Sequence, residues 1–99
     1  MAKLRFTNKA VEDLADIWNC TLETWSERQV DLYYGMIMSV CEDIAANPAF
    51  GRNYDLIAED IFGFVVHKHV IFYKITSQDE VLIVRILHGS MDLKNRIRE

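Results

Sequence analysis

The chain has 99 residues but only two cysteines, one proline and four glycines, and it has no surplus of positive charge. Each scarcity excludes something. Cys20 and Cys41 fit no zinc-ligand spacing, so two reduced thiols are expected and a metal cluster is not. No apolar run approaches the roughly 20 residues of a membrane helix; the longest are strand-sized. The opening "MAKLRFTNKA" has a charge at position 3 and no apolar segment, so no secretory leader is expected and a cytoplasmic location is. The glycines form no phosphate-cradling loop and no GxSxG turn, and no Cys/His pair is placed for nucleophilic work. A net charge of −4 disfavours nonspecific binding to a phosphate backbone.

What is present fits one small domain over residues 1–99. The composition is 51% hydrophobic and 26% charged, ordinary for a soluble domain. A chain of this size buries roughly 65% of its unfolded surface, so nearly every apolar stripe is needed for the core. Charge is unevenly spread. Residues 1–60 carry five Lys/Arg against eleven Asp/Glu, whereas residues 61–99 carry six against four. The cations gather toward the C-terminus.

Residues 4–7, "LRFT", read as a short strand, with Thr7 or Asn8 positioned to cap a helix. Val11, Leu14, Ala15, Trp18, Leu22 and Trp25 then recur at helical spacing and predict a buried stripe, with Cys20 on the opposite, exposed side. "SERQ" at 26–29 is a capping-box pattern that starts a second helix. Its stripe is Val30, Tyr33, Tyr34, Ile37, Val40, Cys41, Ile44 and Ala45. Gly35 should cost that helix about 1 kcal/mol relative to Ala, and close approach of another backbone is its expected reason. Pro48 ends the helix near Asn47. After the loop "PAFGRNYDLIAED" come three strand-like runs, 61–67, 69–76 and 81–88, with "SQDE" as a hairpin loop between the last two. Residues 90–98 predict a short terminal helix capped by Ser90. The expected fold is therefore α+β: an N-terminal strand, an antiparallel two-helix hairpin, a three-stranded antiparallel sheet and a short C-terminal helix. The helices should cover one face of the sheet and leave the other partly open.

Few residues invite chemistry. Strand alternation sends Val81, Ile83, Arg85 and Leu87 one way and Leu82, Val84, Ile86 and His88 the other, unless a bulge intervenes. Arg85 and His88 then face opposite sides and make no catalytic pair. Arg85 is expected as a surface or partner-facing cation, His88 as a strand-end side chain bonded to the terminal segment. His67 and His69 are two residues apart, but Lys68 is expected in a turn between strands, and no metal is expected there. Trp18 and Trp25 suit core or helix-hairpin packing, because an acidic helix makes a poor base-stacking platform. Cys41 is assigned to the core. Arg52, beside Gly51, either pins its loop by bonding carbonyls or meets an acidic partner.

The segments "LRFTNKAVEDLADIWNCTLETW", "NPAFGR", "HVIFYKI" and "VRILHGSMD", in this order and spacing, resemble the RelE/ParE superfamily of bacterial toxins, and its ParE branch in particular. The resemblance runs from about Leu4 to Asp92. It implies a helical hairpin packed on a twisted antiparallel sheet. RelE-like members cleave mRNA with an Arg in the strand pattern His-Arg-aliphatic-aliphatic-Tyr, and some end in His-Tyr. Here "HVIFY" has Val70 at the Arg position, and Gly89 follows His88. Val cannot stabilise a phosphorane-like charge and Gly cannot transfer a proton.

The ParE branch therefore implies a non-enzymatic toxin without cofactor or metal that inhibits DNA gyrase by protein contact. It implies a cognate ParD-like antitoxin as partner, no direct reading of nucleic-acid sequence and no membrane. A ribosome-dependent ribonuclease and a degenerate member that only binds antitoxin are the alternatives. Arg85, His88, Met91 and Asp92 match the closing motif, Arg52 the Gly-Arg turn, and Trp25 the aromatic between the helices. Lys74, Lys94, Arg96 and Arg98 complete the expected contact residues.

Overall fold

The computed structural model describes residues 3–24, 26–54, 60–77, 79–89 and 97, with the backbone alone for 20–24. Its sheet is organised around β5 (Glu80–His88), a run of aliphatic residues broken by Arg85. On one side β5 pairs antiparallel with β4 (His69–Ser77), which pairs with β3 (Phe62–Val66), which pairs with the two-residue β2 (Arg52–Asn53). On the other side β1 (Lys3–Phe6) lies parallel to β5, from Lys3 opposite Glu80 to Phe6 opposite Ile83. The described order is β1-β5-β4-β3-β2. The sheet thus has five strands where the sequence predicts three and a separate N-terminal strand. β1 joins as a parallel edge, and two residues of the loop become the other edge. A two-residue strand next to Pro, Gly and Asn has no alternation to read.

The helices form where their caps allow. In α1 (Asn8–Thr24) the Thr7 hydroxyl accepts the Ala10 N–H at 3.0 Å. In α2 (Glu27–Ala46) Ser26 and Gln29 close a reciprocal capping box. Asn47 ends α2 and Pro48–Phe50 makes one 3-10 turn. Both helices pack on one face of the sheet. Leu14 and Ile17 of α1 and Ile37, Cys41 and Ile44 of α2 meet Ile71, Tyr73, Val81, Ile83 and Ile86. Each such aliphatic side chain stabilises the fold by about 1.5–3 kcal/mol on burial. Deep in this core, burial pushes the Cys41 thiol up to about 12, with Glu42 adding to the shift.

Several expectations change. The buried face of α1 is Ala10, Asp13, Leu14 and Ile17, rotated from the expected stripe. Val11 is 54% exposed, and with Ala15 and Trp18 it lines a groove instead. α1 packs on both β5 and β1, and Val11 faces the groove beside Phe6 of β1 and not the core. A Cβ on Gly35 meets nothing within 4 Å, so no backbone approaches it and the glycine has no packing reason. The sheet's other face is not simply open. Ile61, Val70, Phe72 and Leu87 form a second buried cluster, covered by Tyr54 and by Ile97. That face is exposed farther along β4, at Lys74. Ile97 is helical; the rest of the expected terminal helix lies outside the described residues.

β5 also departs from strict alternation. Phe72 faces Arg85 and Tyr73 faces Ile83, so Val84 is an unpaired bulge residue. The phase flips there. Ile86 rejoins Val81 and Ile83 in the helix-covered core, and Leu87 goes to the second cluster.

Candidate functional site

The two residues that looked most chemical, Arg85 and His88, lie three positions apart on β5 in unlike surroundings. The β1 pairing stops at Phe6 opposite Ile83. Beyond it, β5 would present bare backbone groups on that edge. The start of α1 takes the strand's place. The Thr7 N–H donates to the Ile83 carbonyl at 3.0 Å, and its hydroxyl donates to the Val84 carbonyl at 2.7 Å. Asp13 Oδ2 accepts the Ile86 N–H at 3.0 Å. The same carboxylate takes Arg85 as a fork, Nε to Oδ2 at 2.8 Å and Nη2 to Oδ1 at 3.0 Å. Arg85 is 8% exposed and Asp13 9%. Arg85, expected at the surface, is thus half of a buried helix-to-sheet ion pair. Its planar guanidinium suits this bidentate geometry. Sequence reasoning missed Asp13. Its signal was an acid at helical spacing from Ala10, Leu14 and Ile17, facing a strand whose lone cation was Arg85.

Three residues on, at the C-terminal end of β5, His88 lies directly opposite His69, the first residue of β4. The imidazole centroids are 5.3 Å apart and the rings nearly perpendicular at 81°. His69 Nδ1 contacts the Tyr33 hydroxyl of α2 at 2.5 Å, and that hydroxyl donates to the Val66 carbonyl at 3.3 Å. Burial pulls the His69 pKa below its ordinary value, and the neighbouring His88 lowers it further. Burial raises the Tyr33 pKa, opposed by the Lys68 backbone N–H. His67 lies in the turn between β3 and β4, exposed and at a left-handed φ of 51°. Its ring stands edge-on to Tyr33, with centroids 6.0 Å apart. The Gly89 N–H donates to the Lys68 carbonyl at 2.8 Å and closes this end of the sheet. All three histidines of the chain thus lie within one turn and two strand ends.

The remaining predicted residues scatter. Arg52 is exposed on β2. Its loop is pinned by Tyr73, whose hydroxyl accepts the Gly51 N–H at 2.9 Å and donates to the Pro48 carbonyl at 2.7 Å. A Cβ on Gly51 would stand 2.6 Å from that hydroxyl, so this close approach requires glycine. Lys74 is exposed on β4. Trp18 stands edge-on to Tyr34, centroids 5.7 Å apart, joining α1 to α2. Trp25, Met91, Asp92, Lys94, Arg96 and Arg98 lie outside the described residues. Among the described residues no group of three or more His, Cys, Asp or Glu side chains is arranged to hold a metal, and no helix is long and apolar enough to cross a membrane.

An apolar groove of 560 Å³ opens between β1, α1 and α2, lined by Phe6, Val11, Ala15, Trp18, Tyr34 and Met38 among others.

Comparison with known proteins agrees with this architecture. The family model described as "ParE toxin of type II toxin-antitoxin system, parDE" matches residues 4–93. Toxin ParE1 of Mycobacterium tuberculosis is 31% identical over 84 residues, covering 85% of this chain and 86% of that protein. Toxin ParE1 of Caulobacter vibrioides is 29% identical over 94 residues, covering 95% and 96%. A solved structure titled "Chromosomal ParDE TA system from P. aeruginosa" has the same fold, with a TM-score of 0.77 at 18% identity over 89% of this chain and 96% of that one. With its hairpin, its five strands and nearly its whole length accounted for in this way, the chain belongs to the ParE toxin family of type II toxin–antitoxin systems.

Proposed function

We propose that the protein acts without catalysis, as an inhibitor of DNA gyrase that a ParD-like antitoxin neutralises. The observation that carries this reading is the burial of Arg85 against Asp13. A ribonuclease needs a cation aimed at the scissile phosphate. Arg85 is the one Lys or Arg on β5, and its fork is spent on a carboxylate. Val70, at the position where RNA-cleaving relatives carry Arg, is 5% exposed and packs in the second cluster. The surface left for a macromolecular target includes the exposed Arg52 and Lys74 and the half-buried His88. The expected contacts Met91, Asp92, Lys94, Arg96 and Arg98 extend this set along the chain.

The antitoxin reading draws on the groove. An apolar channel bounded by two helices and a strand edge suits an amphipathic segment that folds as it binds, each apolar side chain entering between α1 and α2. The acidic balance of residues 1–60 favours cations on the rim of that segment.

A supercoiling and cleavage assay with purified gyrase, with and without antitoxin, tests the proposal. Expected is loss of supercoiling by toxin alone, recovery with antitoxin, and intact mRNA in a translating extract. Cleaved transcripts with unaffected gyrase would replace this reading by the ribonuclease one, for which His69, His88 and Tyr33 are the neighbouring proton-transfer groups. No effect on either, with tight antitoxin binding, would leave a member that only sequesters antitoxin.

A further inference from the structure

The sequence invites a comparison of His67 with His69; the structure sets His69 against His88 instead. We propose that these two imidazoles form a chelating site for a divalent transition-metal cation of the Zn²⁺, Ni²⁺ or Cu²⁺ class, with the other coordination positions filled by water.

Three observations carry this inference. The first is spacing. With metal–nitrogen distances of about 2.0–2.1 Å, two imidazoles on one tetrahedral ion hold their ring centroids roughly 5 Å apart. His69 and His88 stand at 5.3 Å. Their positions are set by backbone pairing across two central strands, so the pair is held ready and little ordering remains for binding.

The second is orientation. A metal-bound histidine is commonly held by a hydrogen bond through its other nitrogen. His69 has that bond, from Nδ1 to Tyr33. As a ligand, His69 keeps its proton on Nδ1 and gives it to the Tyr33 oxygen, while the Tyr33 hydrogen goes to the Val66 carbonyl. Nε2 then offers its lone pair to the ion. His88 also has an interaction within the protein.

The third is access. Both imidazoles are half-buried and the adjoining turn, His67 and Lys68, is exposed, so a hydrated cation reaches the pair from that side. Paired nitrogen donors select zinc, nickel or copper over magnesium and calcium, which prefer oxygen. Bound metal would clamp the start of β4 to the end of β5, where the chain leaves the sheet toward residues 90–99. This site does not rest on the gyrase reading, and the two share His88.

The test uses the untagged full chain, stripped with chelator and titrated with ZnCl₂ and NiCl₂ by calorimetry at pH 7.5, with MgCl₂ as control. Expected is saturable binding of one zinc or nickel per chain, none of magnesium, and a higher thermal midpoint with zinc. His69→Gln and His88→Gln should each weaken binding at least tenfold, and His67→Gln should leave it within twofold. In unaltered protein, zinc should shift the ring signals of His69 and His88 in the NMR spectrum and not those of His67. That measurement decides the matter even where a variant fails to fold. Absence of saturable binding, binding that survives His88→Gln, or ring shifts confined to His67 would each overturn the proposal.

Discussion

Two places on β5, three residues apart, solve opposite problems. At Arg85 the strand has just lost its β1 neighbour and satisfies that edge from a helix; at His88, its C-terminal end, it pairs with His69 and meets solvent. The first place is closed. Thr7 and Asp13 take up three backbone groups of β5, and Asp13 also neutralises Arg85. The second is held but accessible, with two half-buried imidazoles and one tyrosine. A charged residue on a strand therefore carries no fixed meaning. Arg85 is structural because a carboxylate waits beside it in a dry place. His88 keeps chemical capacity because its neighbour is another imidazole near water.

This contrast breaks most sharply at Asp13. Asp13→Ala would leave a buried guanidinium without its partner and the Ile86 N–H without an acceptor. A loss of about 3–5 kcal/mol is expected, read as a lowered urea midpoint. The double change Asp13→Leu, Arg85→Met should recover most of that loss, because packed apolar groups avoid the desolvation cost of both charges. If the double variant is as unstable as the single ones, the pair contributes more than mutual compensation.

At the accessible end, Tyr33→Phe removes a hydroxyl shared by His69 and the Val66 carbonyl. The expected cost is about 1 kcal/mol, well below that at Asp13, read from the same unfolding curves. An equal loss would erase the distinction between the two places. Gly35→Ala is the converse control, remote from both. Its Cβ enters open space, so a gain of about 0.5–1 kcal/mol is expected from helix propensity alone. The smallest effect is expected at the Arg5–Glu80 pair, 3.2 Å long with side chains 69% and 27% exposed. Arg5→Ala should change stability by less than about 1 kcal/mol. Measured against Asp13→Ala, it isolates what burial adds to an ion pair.

Much of the frame was legible from residues close together in the chain. Ser26 and Gln29 announced α2, and Pro48 ended it, because capping and proline sterics act over a few residues. The runs 61–67, 69–76 and 81–88, read from β-branched and aromatic content, became β3, β4 and β5 with ends shifted by at most one residue. The errors arose where a neighbour in space outweighed a neighbour in sequence. The stripe from Val11 to Trp18 was apolar as read, but α1 turns Ala10, Leu14 and Ile17 to the sheet and leaves Val11 to the groove. The bulge at Val84 changed which residues share a face, and periodicity alone does not mark a bulge. Tyr73, which pins the Gly51 loop, carried no sequence signal beyond being an aromatic in a strand.

Local order along this chain, its helices, its turns and its apolar runs, was settled by chemistry acting across three or four residues. The pairing of Asp13 with Arg85, 72 residues apart, and of His69 with His88 depended on strand register and on where β1 stops. Register is chosen by the burial of the whole sheet against both helices, a sum over distant side chains that no short window contains. That sum placed one charged residue of β5 inside the protein and left a histidine three positions away within reach of solvent.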